Sequence, residues 1–99
     1  MDFEVSGQVI EWRGPAPFYF LPMSQEQSEE LQLYKREFSY GWGVILAHVK
    51  LGDQVARTGL IPRDGRYLVP LKDAIRKPNG VSLGDHISVV VTLGGYPQE

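Results

Sequence analysis

The sequence predicts a mainly β fold: a small barrel made of two pseudo-repeated halves, with one medium and one short helix capping it. Three observations carry this. Apolar residues alternate with polar or small ones along several short runs, Phe3 to Val9 and Ile87 to Leu93 among them, which is the period of half-buried strands. Turn dipeptides, Gly52-Asp53 and Asp64-Gly65, separate successive runs at hairpin spacing. Tyr19-Phe20-Leu21-Pro22-Met23 has a counterpart in Tyr67-Leu68-Val69-Pro70-Leu71, each followed by a helical stretch and then by a strand introduced by glycine. The repeated unit reads strand, strand, proline, helix, strand.

Each element has a local cause. Phe3, Val5 and Val9 share one face of the first strand, whereas Ile10 and Trp12 take the other, so a bulge or bend is expected near residues 9–10. Pro15 and Pro17 lack the N–H a ladder needs and break this strand. Phe18 to Leu21 is a short aromatic strand ended by Pro22. Ser24, with Gln27 three residues on, forms a capping box that opens a helix over residues 25–37. Early acids (Glu26, Glu29, Glu30) and late bases (Lys35, Arg36) suit its macrodipole, and Leu31, Tyr34 and Phe38 make its buried stripe.

Val44 to Leu51 is a strand with Ile45, Ala47, Val49 and Leu51 inward; Gly52 supplies the positive φ of a type II′ turn, and Val55 to Ile61 returns. After Pro62 to Gly65, Tyr67 to Val69 is the next strand. Residues 72–77 form the short helix, stopped by Pro78-Asn79-Gly80. The last strand faces inward through Ile87, Val89, Val91 and Leu93, and residues 94–99 are expected to fray. Both prolines that follow the aromatic strands disfavour helix in the residue before them, so the chain leaves the sheet there.

Ninety-nine residues, 42% apolar and 22% charged, make one soluble domain spanning 1–99. No apolar run approaches the ~20 residues of a membrane helix. The acidic N-terminus is unlike an export signal, and a cytoplasmic location is expected. Without Cys there is no disulfide, thiolate nucleophile or Cys-based metal site. Net charge is −2 but uneven: residues 1–30 carry −5 and residues 50–77 carry +4.

WRGPAPFYFLP, YGWGVILAHVKLGDQVARTGLIPRDGRYLVPLKDAIRK and GVSLGDHISVVVTL together resemble the bacterial family catalogued as domain of unknown function 1905, over about residues 3–93. The resemblance implies a double-split β-barrel, distantly similar in shape to the AbrB and MazE/MraZ swapped-hairpin proteins. In the return strand, where that family usually has an aromatic residue, Arg57-Thr58-Gly59 stands here. No activity goes with the family, so the resemblance implies a fold and no function.

Catalytic chemistry finds little purchase. The two histidines, His48 and His86, have no serine or cysteine partner at useful spacing, and no Gly-x-Ser-x-Gly elbow or phosphate loop is present. His48 alternates outward with Lys50 and is expected to be exposed; Asp85 is expected to satisfy turn donors. Neither enzyme activity, nor a metal, nor a cofactor is expected. Tyr40 and Trp42, beside Gly41 and Gly43, offer a stacking wall, and Lys72 and Arg76, four apart on the short helix, share a face that can hold an anion. These four are the candidate ligand-binding residues of a binding module, for a small molecule or protein, at an aromatic-rimmed barrel end. The alternative is a nucleic-acid binder, by analogy with the swapped-hairpin regulators. An acidic protein of pI about 5.6 is a poor match for phosphate neutralisation. A monomer is expected, since one chain supplies both halves.

Overall fold

The computed structural model describes residues 2–12, 18–34, 39–40 (backbone) and 44–94. Its two proline-ended strands, β3 (Phe18–Pro22) and β7 (Arg66–Pro70), lie side by side and antiparallel, with Leu21 opposite Val69. Leu21 and Val69 are the equivalent residues of the two repeats. The bonds flanking them match as well: the Met23 N–H donates to the Tyr67 carbonyl and the Leu71 N–H to the Tyr19 carbonyl, both at 2.9 Å. The halves therefore meet about a local two-fold axis. Immediately beyond Pro22 and Pro70 the chain turns into helices α1 (Gln25–Gln32) and α2 (Asp73–Arg76).

The remaining strands are β1 (Asp2–Gln8), β2 (Ile10–Trp12), β4 (Ser39–Tyr40), β5 (Val44–Leu51), β6 (Gln54–Arg63) and β8 (His86–Leu93). They form an antiparallel sheet in the order β1-β8-β5-β6-β7-β3-β2, with β4 paired to β5 off this path. The first and last strands of that order are separated in the chain by Val9 alone, so the sheet curls into a mainly β, barrel-like shape. Val9 is the expected bend: its N–H donates to the Asp85 carbonyl at 2.8 Å and its carbonyl accepts from the Gly84 N–H at 3.0 Å. β6 is the counterpart crossing, pairing with β5 through Leu60 and with β7 from Ile61.

Paired residues share a face, and the ladders carry one apolar layer around the inside. Phe3 and Val5 oppose Val91 and Val89; Val91 opposes Val49; Ala56 and Leu60 follow across β5. Leu21, Tyr67 and Val69 complete the core, and α1 and α2 contribute Leu31 and Ile75, both fully buried.

The turns follow their residue chemistry. Gly52 has φ +60°, and a side chain there would meet the Asn79 amide oxygen at 2.5 Å. Asp64 and Gly65 both have positive φ, a two-residue type I′ turn, so β6 and β7 run up to Arg63 and Arg66 and Pro62 sits within the strand. After α2, the Val81 N–H reaches the Arg76 carbonyl and the Gly80 N–H the Lys77 carbonyl around Gly80 at φ +63°, a Schellman closure.

Two expectations are corrected. Helix α1 forms with both bonds of its capping box, but it ends at Gln32 with Leu33 as cap, short of the expected residue 37. Ser28 and Leu31 are its buried residues, Leu33 is exposed, and Tyr34 of the expected stripe packs against the core from the turn that follows the helix. Phe38 and residues 35–37 lie outside the described residues, as does the expected frayed tail beyond Gly94. His48 does alternate with Lys50, yet it is 2% exposed. Its strand lies between β6 and β8, and its Nδ1 donates to the Gly94 carbonyl at 2.8 Å, just past the end of β8.

Candidate functional site

Of the four candidate binding residues, Lys72 and Arg76 are the two whose side chains are described, and they are put to different uses. Arg76 is half-buried within the fold: its guanidinium lies 4.3 Å from the Tyr19 ring centre, Nη2 donates to Asp73 Oδ1 at 2.9 Å and Nη1 to the Val81 carbonyl at 3.3 Å. Together with Lys77 Nζ at 3.5 Å, it holds the Asp73 carboxyl below the usual carboxylate range, the Arg76 hydrogen bond being the largest cause. Lys72, at the N-cap of α2, reaches the other way, and its Nζ donates to the Arg57 carbonyl at 2.6 Å. A cleft of about 560 Å³ opens there, lined by Leu46, Arg57, Thr58, Gly59 and Lys72. Tyr40 contributes a backbone pair opposite Val44, two residues along β5 from Leu46. Trp42 lies outside the described residues.

A second surface has no counterpart among those four. Ile10 pairs with Phe20, which pairs with Pro70; Trp12 pairs with Phe18; Pro22 and Ile61 both pair with Leu68. By alternation all of them point to the outside of the sheet. This outer face is apolar where an outer face is ordinarily polar. Phe18 is 58% exposed, Trp12 41% and Ile10 38%. Trp12 leans over Phe20, ring centres 6.1 Å apart, and Arg63 lies over Trp12 with its guanidinium 3.8 Å from the ring centre. Beneath this cover Phe20 and Leu68 are nearly inaccessible despite facing outward. A pocket of about 390 Å³ remains between Trp12, Ile10, Pro22, Leu68 and the polar rim of Arg63, Arg66, Glu11 and Asp64.

The sequence contained one signal for this face: Ile10 and Trp12 fall out of phase with Phe3, Val5 and Val9. The phase change marks an apolar exterior.

Six of the seven bases of region 50–77 divide among three places. Arg57 and Lys72 line the cleft, Arg63 and Arg66 rim the aromatic face, and Arg76 and Lys77 are paired with Asp73. Among the described residues no three His, Asp or Glu side chains converge as a metal site. His48 is buried in β5 opposite Thr92, while His86 is exposed at the start of β8. Asp85 accepts from the Ser82 N–H at 2.8 Å, the turn role its position implied. Among the described residues no helix is long and apolar enough to cross a membrane.

Searches of curated proteins and of solved structures found no significant match. A family model does match, over residues 6–96, which takes in every strand that builds the aromatic face and the cleft. With nearly its whole length so matched, the chain belongs to the family described as Domain of unknown function (DUF1905).

Proposed function

We propose that this chain is a non-enzymatic binding module whose ligand, a small molecule or a protein presenting an apolar or aromatic group, docks on the outer face around Trp12. One observation carries the reading: three large apolar side chains, Ile10, Trp12 and Phe18, stand exposed together beside a pocket on one sheet face. Exposed apolar residues scattered singly are ordinary, whereas a contiguous patch with a polar rim is typical of an interaction site. Trp and Arg, the pair that meets here, also dominate binding hot spots. In this reading Trp12 and Phe18 supply the aromatic rim.

Nucleic-acid binding is the weaker reading, because the six bases it would need are divided among three places and two of them, Arg76 and Lys77, share the carboxylate of Asp73. The same reading keeps the chain a monomer, since the two halves satisfy each other's strands through β3–β7 and β5–β8; sedimentation at micromolar concentration should return a species of 11.1 kDa, and an inseparable dimer would count against it.

A thermal-shift ligand screen tests the proposal, because a ligand that binds only the native state raises its apparent stability. Uncharged hits bearing an apolar or aromatic group are expected to lose their shift in a Trp12→Ala/Phe18→Ser variant. Such hits stabilising this variant as well as the parent would place the binding surface elsewhere.

A further inference from the structure

We propose a second, independent binding site in the cleft between β6 and the start of α2, for a small molecule bearing a phosphate or carboxylate group. Among the described residues it shares no lining residue with the pocket beside Trp12, so either can stand without the other.

The cleft's five described lining residues include two cations, Arg57 and Lys72, and no acid. Leu46 and Gly59 are paired across β5 and β6, so they lie on the same sheet face, and the Arg57 position, two residues from Gly59, shares it. Gly59 contributes no side chain to the lining there.

The Arg57 guanidinium makes no ion pair or side-chain hydrogen bond among the described residues and keeps all five of its donors. Lys72 is different. Its ammonium is held against the β6 backbone by the 2.6 Å bond to the Arg57 carbonyl, which uses one of its three donors and leaves two. Anchoring at the carbonyl fixes where the positive charge sits, so less side-chain entropy is lost when an anion arrives. The nearest carboxylate in sequence, Asp73, is already held by Arg76 and Lys77 and does not compete for it. A fixed ammonium and a free guanidinium fork lining one cleft suit an oxyanion, the fork binding it bidentately and the ammonium as a point charge. The apolar Leu46 beside them gives room for the carbon skeleton that bears the group. A cleft of about 560 Å³ suits a metabolite-sized ligand and is small for a macromolecule.

The test uses isotope-labelled full chain, titrated separately with inorganic phosphate, with malonate and with a short DNA duplex. Phosphate or malonate should saturate at millimolar concentration or below, with amide shifts centred on Arg57, Gly59 and Lys72. Arg57→Gln and Lys72→Gln should each weaken binding about tenfold, the size of one lost charge-assisted contact. Arg63→Gln, on the other surface, should leave it unchanged. Arg57→Gln alters an exposed side chain, and Lys72→Gln keeps an amide donor for the Arg57 carbonyl, so both variants should melt as the parent does; if one does not, the other carries the test. Absence of saturation, shifts spread over all basic residues, or affinity indifferent to both substitutions would overturn the proposal. So would duplex DNA binding more tightly than phosphate through the same residues, which would make a nucleic-acid backbone the ligand.

Discussion

The guanidinium of Arg63 lies 3.8 Å from the centre of the Trp12 ring, joining the two outermost strands of the β2-β3-β7-β6 segment across its outer face. Arg63 also approaches Asp64 at 3.8 Å, a contact between exposed groups that adds little. The stacking is therefore the stronger reason for its position. Replacing Arg63 with Ala should cost about 0.5–1 kcal/mol, the usual worth of an exposed cation–π contact. It should also redden Trp12 emission in a Trp42→Phe background, as the ring becomes more hydrated. Denaturant melts and emission spectra check both; an unchanged spectrum would mean that Arg63 does not cover the ring in solution.

Gly84 precedes the last strand with φ +88°, and its N–H donates to Val9 at the bend. A Cβ there would have room, its nearest contact being the Gln8 amide nitrogen at 3.9 Å, so substitution tests backbone conformation alone. Gly84→Ala should destabilise by about 1–3 kcal/mol. A denaturation midpoint equal to the parent's would show that the turn can adopt another conformation at no cost.

Ser28 joins helix to sheet. Its buried Oγ accepts from the Tyr67 N–H at 3.1 Å, a donor whose strand neighbour across β6 is Pro62. Ser28→Ala leaves that N–H buried without the hydroxyl and should cost about 1–3 kcal/mol. Hydrogen exchange at the Tyr67 amide should rise with it. A variant as stable as the parent would contradict this joint.

These residues show what could be read before the structure. The capping box at Ser24, the turn at Gly52, the strand ends at Pro22 and Pro70 and the inward face of β5 depend on neighbours within a few positions, and the amino-acid types there permit few alternatives. The burial of His48 and the role of Ser28 depend on Gly94 and Tyr67, some forty residues away, and no local period encodes them. The aromatic face is intermediate: alternation separated Trp12 from Val5, but which side of the sheet would be the exterior emerged only with the pairing of β2, β3 and β7. The candidate pair Lys72 and Arg76 did share a short helix, yet Tyr19, on the proline-ended strand of the other repeat, captured the second of them.

Burial pushes the Tyr67 phenol above its ordinary value of 10.0, partly offset by the Gln32 amide, which donates to its oxygen at 3.2 Å. The unfolded phenol ionises first as pH rises. The folded state then holds the extra proton, so this contribution to stability is intact below pH 10.0 and falls as pH climbs from there through the folded value. Melts of Tyr67→Phe should show a shallower alkaline decline than the parent. Parallel declines would mean that Tyr67 ionises as it does in the unfolded chain.

Chemical-shift mapping with the strongest uncharged hit from the ligand screen tests the central claim most directly. Each tryptophan indole N–H gives its own signal, and a Trp12→Phe variant assigns the one that matters. The account predicts that the Trp12 indole moves on titration, together with the amides of Ile10, Phe18, Arg63 and Arg66. A Trp12 signal that stays fixed while the hit saturates the protein, with shifts confined to other surfaces, would contradict it.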